Sequence, residues 1–355
     1  MSESASNDMR WFDAHLDLAC LALNKRDMQL PLAQIKGDPL LQGPWPPPAV
    51  TLPSLRDGGV RCALATIFTE ADGDGPEGYG RDDVNGARNA GLAQLETYKH
   101  WADLDLIGIA HRGRFDRALP PDHPGLRTGI LIECADPIAT PDDLAWWRDQ
   151  GVVAVGLAWS RGSRYASGNG ASRDDDRGLM PMGVAMVDAI DSLRMVHDLS
   201  HLSLRAMDDV LARAKGPVMA SHSNCRALLG GDANPHAPRH LDDATIKEVG
   251  KRDGVIGLNL ARNFIRHGLQ GDERPNVAEA IDHVERICEL TGSRRHVGLG
   301  SDMDGGFSAN DMPAAIDAPS DLIALSDELR RRGWDDDEVR GFECGNWLRF
   351  WSEQR

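Results

Sequence analysis

Residues 12–17 read Phe-Asp-Ala-His-Leu-Asp, a short apolar run that ends in two side chains able to bind a divalent metal. Alternate side chains of an extended chain point the same way, so His15 and Asp17 are expected on one side of a strand end. Imidazole and carboxylate groups suit zinc and similar ions. A lone His-x-Asp pattern is common, and a strand-end histidine hydrogen-bonded to its neighbour would explain it equally well.

The same kind of side chain recurs after other apolar runs of the chain. Glu133, His201 and His222 each stand at or just beyond the end of such a run, and Asp302 follows the glycine-rich residues 297–301. Barrels of alternating strands and helices assemble their chemistry at the C-terminal ends of their strands. The recurrence therefore predicts a metal-dependent hydrolase.

Short apolar runs predict eight strands, near residues 10–16, 60–68, 128–133, 152–158, 194–200, 216–221, 254–260 and 296–301. Helical patterns fill most of the segments between them, as in residues 85–95 and 277–287. Asp242 or Asp243 is expected to cap a further helix. Strands that alternate with helices predict a (β/α)8 TIM barrel, here as a single domain over residues 1–355.

Two stretches are predicted to be loops. The proline-rich residues 43–48 follow the first strand, and residues 160–177 follow the fourth strand, where barrel loops commonly line the active site. For the acidic residues 174–177, a solvated surface turn is the favoured interpretation.

Composition excludes several classes of partner. The net charge of −16 opposes attraction to nucleic acid and to anionic membranes. No stretch approaches the roughly 20 apolar residues of a membrane span, and residues 1–8 lack the pattern of a signal peptide. Six scattered cysteines without a Cys-x-x-Cys pair indicate reduced thiols. We therefore expect a cytoplasmic protein without nucleic-acid or membrane partners.

Three acidic residues and one histidine need individual interpretation. Glu133 has two carboxylate oxygens and could bridge two metals, although an ion pair with an arginine would also explain a buried acid. His197 lies in the same run as His201 but deeper, which favours a core role. Asp302 stands nearer the strand end and is expected to serve the chemistry, whereas Asp304 is expected to make a turn hydrogen bond.

With these residues identified, the chain resembles the membrane dipeptidase (renal dipeptidase) family of zinc peptidases over nearly its whole length. Several segments in the right order are more specific than any one alone. The segments that carry the resemblance are residues 13–17, 55–60, 132–133, 178–183, 198–201, 221–223, 297–305 and 345–349.

The resemblance implies a metal-dependent hydrolase barrel with two zinc ions or other divalent metals. His15, Asp17 and Glu133 would hold one ion, and Glu133 would share the second ion with His201 and His222. The metals would activate a hydroxide that attacks the scissile carbonyl. The resemblance also raises a homodimer as one assembly.

Two further residues acquire roles from the resemblance, and two positions depart from it. Asp302 would handle protons, and Arg239 would bind the substrate carboxylate, although a surface position would equally explain that arginine. Trp159 stands where the family usually has a histidine, and Ala261 stands where it often has a tyrosine. An intact metal site with an altered substrate pocket is therefore predicted.

Three functions follow from these patterns. The leading hypothesis is a dinuclear zinc hydrolase that cleaves a peptide bond in a small, carboxylated, dipeptide-like molecule. A second is a zinc-dependent hydrolase of another amide or ester, such as an N-acyl amino acid or a lactam. A third is a non-catalytic barrel that binds a small molecule, which the departures at Trp159 and Ala261 motivate.

Overall fold

Eight parallel strands form a ring in the computed structural model, which describes residues 10–120, 122–231 and 234–353. The predicted TIM barrel is confirmed, and each predicted strand has an observed counterpart. The strands are β1 Trp11–Leu16, β2 Val60–Ile67, β3 Leu126–Ile132, β4 Val152–Gly156, β5 Val196–Asp198, β6 Val218–Met219, β7 Ile256–Leu258 and β8 Val297–Leu299.

Strand pairing follows chain order around the ring. Hydrogen-bonded neighbours run β7, β8, β1, β2, β3, β4, β5 and β6, and a single bridge between Ala220 and Ile256 connects the two ends. The register aligns Asp13 of β1 with Leu299 of β8. Because all strands are parallel, their C-terminal ends share one face of the barrel, and side chains just beyond those ends meet there.

Helices cover the outside of the ring. Both predicted helical segments are confirmed, within the helices Val84–Asp103 and Val277–Thr291, and the Asp242 side chain caps the helix Asp243–Lys251 by accepting from the Thr245 amide. No helix in the described ranges is long and apolar enough to cross a membrane. The helices are α1 Leu18–Leu23, α2 Leu32–Gly37, α3 Leu52–Asp57, α4 Val84–Asp103, α5 Leu144–Asp149, α6 Pro181–Ser192, α7 Leu204–Arg213, α8 Asp243–Lys251, α9 Arg262–Ile265, α10 Val277–Thr291, α11 Ile323–Arg331, α12 Asp336–Arg340 and α13 Asn346–Glu353.

Three short strands were not predicted. Ile107–Ile109 pairs with the start of β3, and Glu70–Ala71 pairs with Gly78–Tyr79 beyond the end of β2. Segments of two or three residues, two of which contain glycine, are too short to give a recognisable periodic pattern. They lengthen the connections around the barrel without changing the order of its eight strands.

Glycines at the C-terminal ends of β7 and β8 allow the backbone to pack closely. A Cβ added at Gly257 would lie 1.9 Å from the Ser221 carbonyl oxygen, and one added at Gly300 would lie 1.8 Å from the same atom. No other residue fits at these positions without displacing a strand end. This close packing brings the segments that carry His222 and Asp302 together.

Candidate metal centre

Six side chains singled out in the sequence meet at the C-terminal mouth of the barrel. His15 lies in β1 and Asp17 directly follows that strand, while Glu133 directly follows β3. The other three lie three residues past β5, β6 and β8, where each chain segment turns across the mouth. Apart from partly buried His201, all of them are buried: His15, Asp17, Glu133, His222 and Asp302.

Glu133 lies at the centre of this cluster. Its Oε1 atom is 2.9 Å from His201 Nε2, 3.4 Å from His222 Nε2 and 3.7 Å from His15 Nε2. Each ring therefore turns the same nitrogen toward one carboxylate. Glu133 belongs both to a group with His201 and His222 and to a group with His15 and Asp17, with the ligand atoms of each group within 4.8 Å of one another.

His15 has a third acidic neighbour, Asp302, besides Asp17 and Glu133. Its Nε2 atom is 3.7 Å from Asp17 Oδ1 and 3.8 Å from Asp302 Oδ1. His15, His222 and Asp302 form a further group whose ligand atoms lie within 4.8 Å. The expectation that His15 and Asp17 face the same side is confirmed, and Asp302 stands equally close.

The donor atoms fit a divalent metal. His15 Nε2 is buried without a hydrogen-bond partner among the residues described, which is costly for a polar atom. His201 Nε2 and His222 Nε2 face each other at 3.1 Å. A cation among these nitrogens and the surrounding carboxylates would satisfy them together. Imidazole and carboxylate donors of this kind suit zinc.

Neighbouring polar groups orient two of the imidazoles. His222 Nδ1 lies 2.7 Å from Ser221 Oγ, and that hydroxyl donates to Asp198 Oδ2 at 2.5 Å. Since the serine proton goes to Asp198, Nδ1–H of His222 donates to the serine, which leaves a lone pair on Nε2. His201 Nδ1 lies 3.3 Å from Asn169 Oδ1. Such partners fix the orientation of metal-binding histidines.

Burial shifts the pKa of the three imidazoles in the direction that metal binding requires. It lowers the pKa of His15, His201 and His222 well below the usual value, and the positive charge of Arg239 lowers each further. Neutral imidazole is the form that binds a metal. Burial also raises the pKa of Glu133 well above its usual value, and the nearby acids add to that rise. A bound cation would relieve this repulsion.

Asp302 occupies a turn with unusual backbone geometry. Its φ is 59°, and His201 has a φ of 64°, both in the left-handed region that glycine favours. Such conformations cluster at functional sites when the surrounding structure enforces them. Asn259 Nδ2 donates to Asp302 Oδ2 at 2.8 Å, which leaves Oδ1 facing His15.

Arg239 lies inside the mouth rather than on the surface. Only 4% of the residue is exposed, and it ends the short turn Ala237–Arg239. Its Nη1 donates to Ser223 Oγ at 3.1 Å and its Nη2 donates to the His222 carbonyl at 3.0 Å. Its Nε has no partner within the described chain. The surface interpretation of this arginine is wrong.

His197 and Asp304 both serve the structure. His197 Nε2 bonds to Asp191 Oδ1 of α6 at 2.8 Å, so the predicted core role is confirmed. Asp304 takes part in a turn through its carbonyl, which accepts from the Gly306 amide at 3.0 Å, but its buried carboxylate pairs with Arg26 and accepts from the Val50 amide at 2.8 Å. These partners of the carboxylate lie more than 250 positions away, beyond the reach of local sequence patterns.

The two positions that depart from the family pattern both border the site. The Trp159 ring lies 5.9 Å from the His201 ring and 5.2 Å from the Phe68 ring, centroid to centroid. The Ala261 amide donates to Oδ1 of Asn259 at 2.8 Å, and Asn259 in turn donates to Asp302. Trp159 and Asn169 both follow β4, so part of that segment lies beside His201.

The remaining cysteines and acidic loop residues lie outside the ligand groups. Burial raises the pKa of Cys134 to about 12, and no disulfide joins two cysteines of the described ranges. Asp174 and Asp175 are exposed, as expected for a surface turn.

The residues that support the candidate ligands were not identified from the sequence. The signal that could have found some of them is a polar residue next to a candidate ligand, as in Ser221-His222. The supporting residues are Thr66, Asn169, Asp198, Ser221 and Asn259.

The barrel and the buried imidazole–carboxylate cluster at its mouth define a metal-dependent hydrolase. A comparison with protein families matches residues 3–355 to the membrane dipeptidase family, peptidase family M19. The chain belongs to that family.

Individual relatives agree with this assignment. Dipeptidase aclJ of Aspergillus oryzae is 31% identical over 206 residues, which cover 58% of this chain and 46% of that protein. The chain therefore matches about half the length of this relative.

Two crystal structures share the fold. The probable dipeptidase PvdM from Pseudomonas aeruginosa has a TM-score of 0.80 at 19% identity, covering 99% of this chain and 97% of that one. A metallopeptidase from Rhodobacter sphaeroides, liganded with a phosphinate mimic of the dipeptide L-Ala-D-Ala, has a TM-score of 0.75 at 22% identity, covering 98% of this chain and 99% of that one.

Proposed function

We propose that this protein is a dinuclear zinc hydrolase that cleaves the peptide bond of dipeptide-like molecules with a free carboxylate. The observation that carries the proposal is the position of Glu133, which belongs to two three-residue ligand groups at once. Buried Arg239 beside these groups supports a carboxylated substrate. Family membership and the dipeptide mimic bound to the Rhodobacter relative support a peptide bond as the target.

Each group of residues at the site has a separate role in the proposed hydrolysis. Metal ions held by His15, Asp17, Glu133, His201 and His222 would supply an activated hydroxide near neutral pH and polarise the scissile carbonyl. Arg239 grips the substrate carboxylate and fixes the peptide relative to the ligands. Asp302 accepts a proton from the attacking water. It then returns that proton to the amine nitrogen as the carbon–nitrogen bond breaks, so that one water is consumed per bond.

A second candidate is hydrolysis of a different amide or an ester, such as an N-acyl amino acid or a lactam. Trp159 favours it, because an indole beside His201 stands where the family usually has an imidazole, so the imidazole that could hydrogen-bond a reacting carbonyl oxygen is absent. Loss of such a donor typically lowers the rate by about 10²–10³. The metal site and Asp302 would serve this chemistry equally well.

Metal analysis of the purified protein together with turnover of a substrate library tests these candidates. The library contains dipeptides, N-acyl amino acids and lactams. Two ions per chain with dipeptide cleavage is the expected result. Two ions with cleavage of only the other amides supports the second candidate. Tight binding of a library member without turnover of any would instead indicate a binding barrel.

We also propose a cytoplasmic location and a homodimeric assembly, the first from the charge and hydropathy of the sequence and the second from the family resemblance. Cell fractionation followed by immunodetection tests the first proposal. Light scattering of the purified protein over a range of concentrations tests the second, and a constant mass near 38.7 kDa would contradict it.

A further inference from the structure

A buried ion pair holds the proline-rich residues 43–48 against the mouth of the barrel. Arg26 and Asp304 are both fully buried and paired with each other. Asp304 also accepts from the Val50 amide at 2.8 Å, and Arg26 Nη2 donates to the Pro44 carbonyl at 2.9 Å. Backbone on both sides of the loop is therefore tied to the turn that carries Asp302.

The loop places an aromatic side chain over a cavity. Trp45 is 38% exposed and lies with Pro46 on the rim of a cavity of about 490 Å³. Phe264, Phe307 and Ala261 contribute further apolar walls, and Gly305 and Gly306 form part of the lining. A cavity of this size holds a substantial side chain, and its walls are mostly aromatic or small.

The cavity lies next to the groups proposed to bind and cleave the substrate. Its wall residue Phe264 has its ring 5.9 Å from the guanidinium carbon of Arg239. The amide of Gly305, which also lines the cavity, donates to the Asp302 carbonyl at 2.9 Å. A substrate residue held through its carboxylate by Arg239 therefore has this cavity within reach of its side chain.

The charges in the lining favour an uncharged occupant. Arg262 and Asp311 form an ion pair of 3.0 Å, so they neutralise each other. Arg262 also donates to the backbone carbonyls of Gly271 and Glu273 at 2.8 and 3.0 Å. Both charged side chains are thus already engaged, and a charged substrate side chain would lose its hydration without gaining either of them as a free partner.

We propose that this cavity receives the side chain of the carboxylate-bearing residue of the substrate and selects large apolar side chains, aromatic ones above all. The inference rests on the proposed peptide hydrolysis and names its substrate class. Trp45 acts as a specificity residue, and the Arg26–Asp304 pair acts as a positioning device for its loop.

Alanyl dipeptides that differ only in the second residue test the proposal with the zinc-loaded enzyme. We expect kcat/KM for Ala-Phe and Ala-Leu to exceed that for Ala-Gly by about tenfold to a hundredfold. Ala-Asp and Ala-Lys should show no such advantage. Both configurations of the second residue are measured, since either could fit the cavity.

A pair of tryptophan variants identifies the origin of the preference. Trp45→Ala should lower the ratio of kcat/KM for Ala-Phe to that for Ala-Gly by about tenfold. Trp146→Ala is the matched control, because Trp146 is 40% exposed and lies on α5, away from the mouth. It should leave the ratio at the wild-type value. Equal ratios in all three proteins would overturn the assignment of Trp45.

Binding of phosphinate dipeptide mimics separates this inference from the proposed function. Mimics that carry a benzyl group or hydrogen at the second residue are titrated calorimetrically into wild type and Trp45→Ala. Tighter binding of the benzyl mimic, lost in the variant, supports the cavity even without turnover. Dipeptide cleavage with equal kcat/KM for Ala-Phe and Ala-Gly refutes the cavity alone. Absence of both cleavage and mimic binding refutes the cavity together with peptide hydrolysis.

Discussion

Glu133 is the side chain whose single oxygen approaches three imidazole nitrogens, at 2.9, 3.4 and 3.7 Å. Replacing Glu133 with glutamine removes its charge and one strong acceptor, so both proposed ions should be lost. His201→Ala should remove chiefly one ion, because His201 belongs to only one of the ligand groups. Elemental analysis of the purified variants measures the number of ions per chain. Loss of one ion in both variants would rule out a bridging role for Glu133.

Asp302 is close enough to His15 to bind metal, yet the proposed mechanism gives it the proton transfer. Asp302→Asn preserves the shape of the side chain but removes the base. We expect metal content to remain near wild type while kcat falls by about 10²–10⁴. Steady-state kinetics beside metal analysis distinguishes the roles. Loss of an ion would make Asp302 a ligand, and retained activity would remove it from the chemistry.

Arg239 is the residue proposed to bind the substrate carboxylate through its guanidinium group. A hydrogen bond to a charged group contributes roughly 1.5–3 kcal/mol, so Arg239→Ala should lower kcat/KM by about tenfold to a hundredfold on free dipeptides. Both KM and kcat should change if the bound carboxylate orients the reacting carbonyl. Carboxyl-amidated dipeptides provide the control, since they lack the charge that Arg239 would bind. An equal loss on both substrates would indicate a general structural defect.

The candidate ligands could be predicted from the sequence because each follows an apolar run, and parallel strands bring such positions together. Their supporting residues could not be predicted in the same way. Asn169 reaches His201 from a loop 32 positions away, and Asp198 reaches His222 through Ser221. These contacts depend on loop shape and strand register, which residue spacing does not determine.

At the scale of elements, one carboxylate connects α6 with two strands. Asp191 accepts from His197 Nε2 of β5 at 2.8 Å and from the Lys215 and Gly216 amides before β6, both at 2.9 Å. Burial alone would raise the Asp191 pKa, but these hydrogen bonds outweigh it and lower the pKa from 3.8 to about 2. The charged form therefore stabilises the folded chain.

Asp191→Asn should lower the free energy of unfolding at pH 7 by about 1–2 kcal/mol. Because the folded pKa lies below the unfolded value, this contribution is present above about pH 4 and is lost as the pH falls toward 2. Urea unfolding at several pH values measures the difference. Asp188→Asn is the control, since its partner Arg213 and Asp188 itself are largely exposed, and its effect should be below about 1 kcal/mol. A difference that stayed constant down to pH 3 would contradict the linkage.

The eight barrel strands could be predicted because each is an apolar run that the barrel buries, with loop and helix sequence on either side of it. It failed for Ile107–Ile109, a three-residue strand whose central glycine carries no side chain. The composition of the proline-rich loop is visible in the sequence, but its attachment depends on Arg26 and Asp304, which lie before and after it in the chain. Such long-range ion pairs are decided by the folded geometry alone.

At the scale of the whole molecule, the barrel concentrates negative charge in its mouth. Asp17, Glu133 and Asp302 are buried within one cluster, and burial raises the pKa of all three, that of Asp17 to about 6. The positive charge of nearby, buried Arg239 lowers the pKa of Glu133 and of Asp302, against the effect of burial. In a chain with a net charge of −16, a metal-free mouth would therefore destabilise the fold.

Metal binding should consequently stabilise the whole protein. A ligand that binds only the folded chain adds about 2.7 kcal/mol at a concentration of 100 times its Kd, which corresponds to a rise in Tm of roughly 4 °C for each occupied site. Chelation should lower Tm, and zinc added back in equimolar steps should restore it over the first two equivalents per chain. Differential scanning calorimetry measures the shift. Glu133→Gln is the control, because its disrupted ligand groups should make Tm nearly independent of zinc. If the wild-type Tm did not change on chelation, or if Glu133→Gln responded to zinc as strongly as wild type, the cluster at the mouth would not be the metal site.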